Sequence, residues 1–397
     1  MTVRDVTRSE LDERPGIPVE RTKVVHLITG LNSGGAEMML YKLMSSFDRT
    51  RFEMQVISMT DGGLFAPRIV ELGVPLTSLG MQRGSASALA MFRLVRLLRR
   101  ARPDVLQTWM YHADLMGLVA GRAARVRRLV WNVRASDLDF ADVHRSLRKV
   151  YSLHALFSGM PDAVIVNSVS GMQFHHARKH DKARWELIHN GFDLHKFRPD
   201  LEARARVRQQ LGATDAAVVI GMIARFDGQK DHETFFRAAQ SLATTEPDVV
   251  FVLAGKGVEP SNVKIKDIVE RLALTEKVRL LGECRDTSEL LPALDIVTLS
   301  SRNGEGLPNA LGEAMSCGIP CVATDVGDSA LLLADTGKVV APGDASAIAR
   351  CWRELIAMGP VARQRLGGAA RRRIAQDFDI GGVVRRYERL YEVLRGV

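Results

Sequence analysis

The sequence predicts an α/β protein of two Rossmann-like domains facing each other across a cleft. Three observations predict it. The chain has 397 residues, more than one ordinary core and enough for two domains of roughly 150–200 residues each. Short β-branched runs alternate with helical patterns, as the βα units of a parallel sheet do. That series halts at a polar segment bearing Gly191 and Pro199, and then begins again.

Taken in order, residues 1–22 mix Arg, Asp and Glu without an apolar stretch and read as a loose tail, neither secretory signal nor membrane anchor. The first domain, residues 23–195, holds the strand candidates Lys23–Thr29, Phe52–Ser58, Val74–Leu79, Val105–Trp109, Leu129–Val133, Ala163–Ser168 and Glu186–Asn190. The junction lies near Asp193–Asp200. The second domain, residues 200–379, holds the candidates Ala216–Ala224, Val249–Gly255, Val278–Gly282, Asp295–Ser300 and Pro320–Thr324. A closing helix over residues 380–397 is expected to pack back on the first domain. Ligands of such sheets sit at the carboxyl ends of the strands, which here face the cleft. No uninterrupted apolar run reaches the ~18–20 residues of a membrane span.

Hydrophobic residues make up 46% of the chain and charged residues 25%, which excludes a disordered, collagenous or small disulfide-stapled protein. The four cysteines (Cys284, Cys317, Cys321 and Cys351) are too few to staple it and point to a reducing, cytoplasmic compartment. Cys317 and Cys321 have no His or Cys pair nearby at zinc spacing. The net charge of +9 belongs to the first half, where residues 1–200 carry 29 Lys and Arg against 20 Asp and Glu. Arg83–Lys149 alone carries 14 against 5. Such a patch is either the solvated side of helices packed on a sheet or a peripheral contact with an anionic membrane. In LAMFRLVRLLRRAR, Arg93, Arg96 and Arg100 recur at helical spacing, with Phe92, Leu94, Leu97 and Leu98 on another face. Nucleic acid is not an expected partner, because no zinc-finger, aromatic RNA-binding or helix-turn-helix pattern accompanies the charge.

The segment carrying most chemistry is SSRNGEGLPNALGEAMSCGIPCVATDVG, Ser300–Gly327. A buried strand leads into a loop with Gly304, Glu305 and Gly306. Pro308 suits a first helical turn, and Gly318 with Pro320 ends the helix. The helix amino end offers free N–H groups to an anion. Glu305 precedes the helix and Glu313 falls on its second turn, both carboxylates able to bind sugar or ribose hydroxyls.

This segment resembles the E-x7-E motif of the family 4, group 1 glycosyltransferases, retaining enzymes of the two-domain GT-B fold. Four further pieces agree in order and spacing. GGAEMMLYKL (Gly34–Leu43) resembles the family's glycine-rich turn after the first strand, and IHNGFDLHKFRP its interdomain junction. IARFDGQKDHETFFRA resembles its R-x4-K segment, and VLAGKG its second glycine turn. The resemblance runs over nearly the whole chain from about Lys23.

The resemblance implies a hexosyltransferase with a nucleotide diphosphate sugar as donor. It assigns Glu305 to the transferred sugar, Glu313 to the ribose, and Arg225 with Lys230 to the diphosphate. A planar fork and a point charge together can neutralise that leaving group. Gly34 and Gly35 give the backbone access to the donor, joined by Gly306 and Leu307 from the second domain. His112, after the strand Val105–Trp109, is a candidate for the donor sugar or acceptor, and Arg134 for an anionic acceptor. Asn190 and Gly191 belong to the hinge. Asp137-Leu138-Asp139 spells a D-x-D triplet, but it sits in the acceptor domain of a GT-B chain. No metal or other cofactor is therefore expected. The family is thought to use front-face substitution, with the leaving diphosphate helping to deprotonate the acceptor. Catalysis is then largely positioning and charge stabilisation.

The expected acceptor is a glycan or lipid-linked glycan in cell-surface polysaccharide assembly, reached from the cytoplasmic side of the membrane. The alternative is an enzyme making a soluble disaccharide or sugar phosphate. More distant is a non-catalytic nucleotide-sugar-binding protein, which the presence of Arg225, Lys230 and Glu305 disfavours. The chain departs from the family in TDVGDSALLLADTG, where many members carry a second Gly and then a Glu after T-D-V.

Overall fold

The computed structural model describes residues 21–32, 34–82, 87–134, 145–180, 182–284 and 286–396, with residues 145 and 146 described in backbone only. Seven parallel strands form the first sheet: β1 (Thr22–Ile28), β2 (Phe52–Ser58), β3 (Leu76–Ser78), β4 (Val105–Trp109), β5 (Arg128–Val133), β6 (Ala163–Val166) and β7 (Trp185–Leu187). Six form the second: β8 (Val218–Ile223), β9 (Val249–Ala254), β10 (Val278–Leu280), β11 (Ile296–Leu299), β12 (Cys321–Thr324) and β13 (Lys338–Val340). The spatial orders are β3-β2-β1-β4-β5-β6-β7 and β10-β9-β8-β11-β12-β13. Each order reverses beside its first strand. The two places where ligands bind such sheets therefore lie between β1 and β4 and between β8 and β11.

The central strands are rich in β-branched residues and largely buried, as parallel strands between helical layers must be, whereas the three-residue edge strands β3, β7, β10 and β13 are only partly buried. In the second domain, Phe235, Phe251 and Trp352 pack on one face of the sheet, and Leu311, Met315 and Phe192 on the other. Helix Ile380–Arg395 crosses back to the first sheet. There the Tyr391 hydroxyl donates to Gln107 Oε1 at 2.5 Å, and Tyr387 accepts from Asn132 Nδ2 at 3.1 Å. The outgoing and returning crossings run side by side. The Phe192 amide donates to the Phe378 carbonyl at 2.9 Å, and the Ile380 amide to the Phe192 carbonyl at 3.0 Å.

Four readings are corrected. β13 was not expected. β7 ends at Leu187, so Ile188–Asn190 leave the sheet for the junction. Thr22, assigned to the tail, opens β1. On helix Ala88–Ala101 the buried stripe is Ala90, Leu94 and Leu98, and Phe92 stands on the solvent side at 66% exposure, among the exposed Arg93, Arg96, Arg99 and Arg100.

Candidate active site

The switch point of the second sheet builds one wall of the site. After β8 the chain passes Arg225 and enters a 3-10 turn, Gly228–Lys230, capped by Asp227, whose Oδ1 accepts from the Gln229 amide at 2.9 Å. Asp231 then takes a left-handed conformation (φ 48°) and caps helix His232–Ala243. This double cap throws Lys230 towards the loop after β11. Its Nζ forms an ion pair with Glu305 Oε1, the same oxygen that accepts from the Ser301 hydroxyl. The two side chains are 17% and 8% exposed. Arg225 is placed differently. It is 56% exposed and held by Asp227 Oδ2 and Gln229 Oε1, each at 3.2 Å.

Gly306 lies where the two domains touch. A Cβ there would stand 3.2–3.3 Å from the side chains of Asn167 and Ser168 at the end of β6. Leu307 is buried, and its carbonyl accepts from Asn190 Nδ2 at 2.9 Å. Pro308 is the residue before helix Asn309–Ser316 rather than part of its first turn. Glu313, on the second turn, is reached from both sides. Its Oε2 is 3.4 Å from the Thr287 hydroxyl, and its Oε1 is 3.5 Å from the Lys42 ammonium of the first domain.

The first domain supplies the facing wall. Helix Gly35–Ser46 starts directly after Gly34, whose backbone is extended (φ −174°), so no left-handed turn demands a glycine. A Cβ on Gly34 would sit 2.4 Å from Glu37 Oε2, the far end of a flexible side chain, and one on Gly35 would be in ordinary contact, 3.6 Å from Asn309 Nδ2 across the cleft. After β4, Met110 adopts φ 71° and ψ 158°, a region otherwise left to glycine, and strain of this kind gathers at functional sites. It turns the chain into helix Tyr111–Ala124, with His112 exposed on the first turn. Among the described residues no hydrogen bond joins His112 to Lys230, Glu305 or Arg134. Arg134, just past β5, donates to Asn190 Oδ1 and lies 5.7 Å over the Trp109 ring. It is thus tied to the junction residue that also holds Leu307.

Two further residues belong to this interface. Lys42 is buried, and Asp328, in the segment that departs from the family pattern, caps helix Val169–His176 of the opposite domain. Its carboxylate accepts from the Val169 amide at 2.6 Å and the Ser170 amide at 2.9 Å. Sequence reasoning singled out neither. The available signal for Lys42 was a cation three residues after Met39 in the apolar face Met39, Leu40, Leu43 and Met44. Asp137 and Asp139 lie outside the described residues. Among the described residues no group of three or more His, Cys, Asp or Glu could hold a metal ion.

Two family profiles match the chain: "Glycosyltransferase Family 4" over residues 33–196 and "Glycosyl transferases group 1" over residues 217–358. A UDP-Gal:alpha-D-GlcNAc-diphosphoundecaprenol alpha-1,3-galactosyltransferase of Escherichia coli is 26% identical over 247 residues, 60% of this chain and 62% of that protein. A D-inositol 3-phosphate glycosyltransferase of Mycolicibacterium gilvum is 33% identical over 211 residues, 50% of this chain and 45% of that one. The chain therefore spans less than two thirds of the length of either relative. Among solved structures, Anabaena HepE in complex with UDP-glucose superposes with a TM-score of 0.82 at 23% identity, covering 94% of this chain and 100% of that one. At that identity the likeness is one of fold, and the fold is that of GT-B glycosyltransferases.

Proposed function

The chain belongs to the family 4, group 1 glycosyltransferases, and from that premise we propose that it transfers a hexose from a nucleotide diphosphate sugar to a hydroxyl of a glycan or lipid-linked glycan. The transfer proceeds with retention and without a metal, and serves cell-surface polysaccharide assembly. The observation that carries this reading is the buried Lys230–Glu305 pair at the second switch point, where Glu305 leads towards the helix whose Asn309 side chain lies against Gly35 of the first domain. An ammonium has three donors. Held by Glu305, Lys230 keeps others for the phosphate oxygens that gain charge as the glycosidic bond breaks, and Arg225 approaches the same group from the exposed side. Glu305 takes the hexose hydroxyls and Glu313 the ribose. Gly306 and Leu307 line the donor, and His112 and Arg134 stand on the acceptor wall.

The lipid-linked acceptor is supported by the E. coli relative, whose name specifies a diphosphoundecaprenol substrate. The basic, apolar-tipped helix Ala88–Ala101 supports peripheral contact with an anionic membrane. No helix among the described residues is long and apolar enough to cross one. The second reading, a soluble sugar phosphate product, is favoured by the 33% match to an inositol phosphate enzyme.

One experiment tests these together. Purified protein is incubated with radiolabelled nucleotide sugars, undecaprenyl-linked sugars and soluble sugar phosphates, with and without EDTA. Label entering the butanol phase with EDTA present, in a product whose anomeric centre keeps the donor configuration by NMR, is the expected result. Label confined to the aqueous phase supports the second reading, and no transfer from any donor removes both.

A further inference from the structure

Glu313, which the reading above places on the ribose, takes its counter-charge from the opposite domain. Lys42 projects from helix Gly35–Ser46 with its Nζ 3.5 Å from Glu313 Oε1, and the two side chains are only 8% and 9% exposed. The same Nζ donates to the Gly191 carbonyl at 3.2 Å and lies 5.0 Å from the centre of the Phe192 ring. Phe192 also fixes the backbone carrying the carboxylate, for a Cβ on Gly312 would stand 2.0 Å from the ring's Cζ. One aromatic ring at the crossing between domains thus holds the cation on one side and the acid's helix on the other.

We propose that Lys42 is a positioning residue of the donor site, which presents the Glu313 carboxylate to the ribose diol and makes that presentation depend on the two domains being closed. This rests on the ribose role of Glu313. A carboxylate buried without a counter-charge is costly to keep ionised, and Lys42 supplies that charge without saturating it. Its 3.5 Å approach, like the 3.4 Å approach of Thr287 to the other oxygen, is longer than the ~2.7–2.9 Å of a tight charge-assisted bond. A carboxylate has about four acceptor positions, so both oxygens retain room for the two hydroxyls of a diol. Lys42 sits on the first domain and Glu313 on the second. The acid is therefore fully set only when the cleft is in the arrangement seen here, which couples nucleotide affinity to closure.

Calorimetry on the full chain tests this with whichever of UDP, GDP and ADP binds tightest, set against its 2′,3′-dideoxy analogue and inorganic diphosphate. Wild type should bind the ribonucleotide about tenfold or more tighter than the dideoxy form. Lys42→Met should erase most of that preference while leaving the dideoxy nucleotide and diphosphate within about twofold. Lys42→Arg should restore the greater part. Lys42→Gln, which keeps a donor for the Gly191 carbonyl without charge, should behave as Lys42→Met and stands in for it if that variant misfolds. Equal loss for all three ligands, or an unchanged preference in the Lys42 variants, overturns the inference and leaves the ribose role intact. A wild-type protein that binds nucleotide without preferring ribose overturns both.

Discussion

Lys230 and Glu305, 75 residues apart in sequence, form one ion pair at the carboxyl edge of the second sheet. On the proposed function, the cation for the leaving diphosphate and the carboxylate for the transferred sugar are a single unit before any donor arrives. Residues that act as a unit are not additive on removal. Lys230→Ala and Glu305→Ala should each lower kcat by roughly 10²–10³, and the double variant should be little worse than either single one. Steady-state kinetics on the four-member cycle checks this. Multiplicative losses would mean that the pair is not a functional unit. Because Lys230→Ala also takes a counter-charge from the buried Glu305 carboxylate, its Tm should drop by a few degrees.

Arg225 should separate activity from stability. Its side chain is largely in solvent and, among the described residues, is bound within its own loop, so Arg225→Ala should unfold within about 2 °C of wild type, as most exposed substitutions do. Its kcat should nevertheless fall by roughly 10²–10³ if the guanidinium stabilises the departing diphosphate. Thermal melts beside initial rates decide it, and a near-normal kcat would remove Arg225 from the site.

The first core predicts a dependence of stability on acidity. Burial holds the His26 imidazole at a pKa of about 3, against an ordinary value of 6.5. Below pH 6.5 the unfolded chain takes up a proton that the folded chain refuses. The contribution of His26 is therefore complete above that pH and is lost as the pH falls from about 6.5 towards 3. Between pH 7.5 and 5 this amounts to about 2 kcal/mol. His26→Gln, which still accepts from the Trp109 indole that now donates to His26 Nδ1 at 3.2 Å, should lose about that much less over the same interval. Urea unfolding at the two pH values gives the comparison, and identical losses would refute it.

Membrane contact through helix Ala88–Ala101 should have two separable parts. Basic side chains near an anionic surface contribute about 1 kcal/mol each, so replacing Arg93 and Arg96 together with Ser should weaken binding to phosphatidylglycerol vesicles about 30-fold and flatten its salt dependence. Phe92→Ser should weaken binding without changing the salt slope. Co-sedimentation that is equal on phosphatidylcholine and phosphatidylglycerol vesicles would remove the electrostatic part.

Much of this was legible in the sequence, and the gaps have physical causes. Short apolar and β-branched runs announced twelve of the strands, whereas β13, Lys338–Val340, offers only Val339 and Val340 between Gly337 and Pro342. Phe92 misled because helical spacing fixes relative position around an axis but not which apolar face meets the sheet. Local patterns singled out Arg225, Lys230, Glu305 and Glu313 as candidates one by one. They could not show that Lys230 closes on Glu305, that Arg134 is committed to Asn190, or that Lys42 and Asp328 reach across the cleft. The first two depend on how distant segments of one domain fold together and the last two on how the domains are docked, and no single segment encodes either.

Helix Ile380–Arg395 gives Val383, Val384, Tyr387, Leu390, Tyr391 and Leu394 to a hydrophobic core whose other buried members all precede residue 200. A ribosome adds about 5–20 residues per second, so the first sheet waits on the order of 10–40 s, while the second domain is made, before its last covering layer emerges. The second domain meets no such delay, because its cores are complete once Phe378 has been added. During that interval the face of the first sheet that this helix covers lacks its last layer. In chain order, the cores of the second domain are complete before this core of the first is.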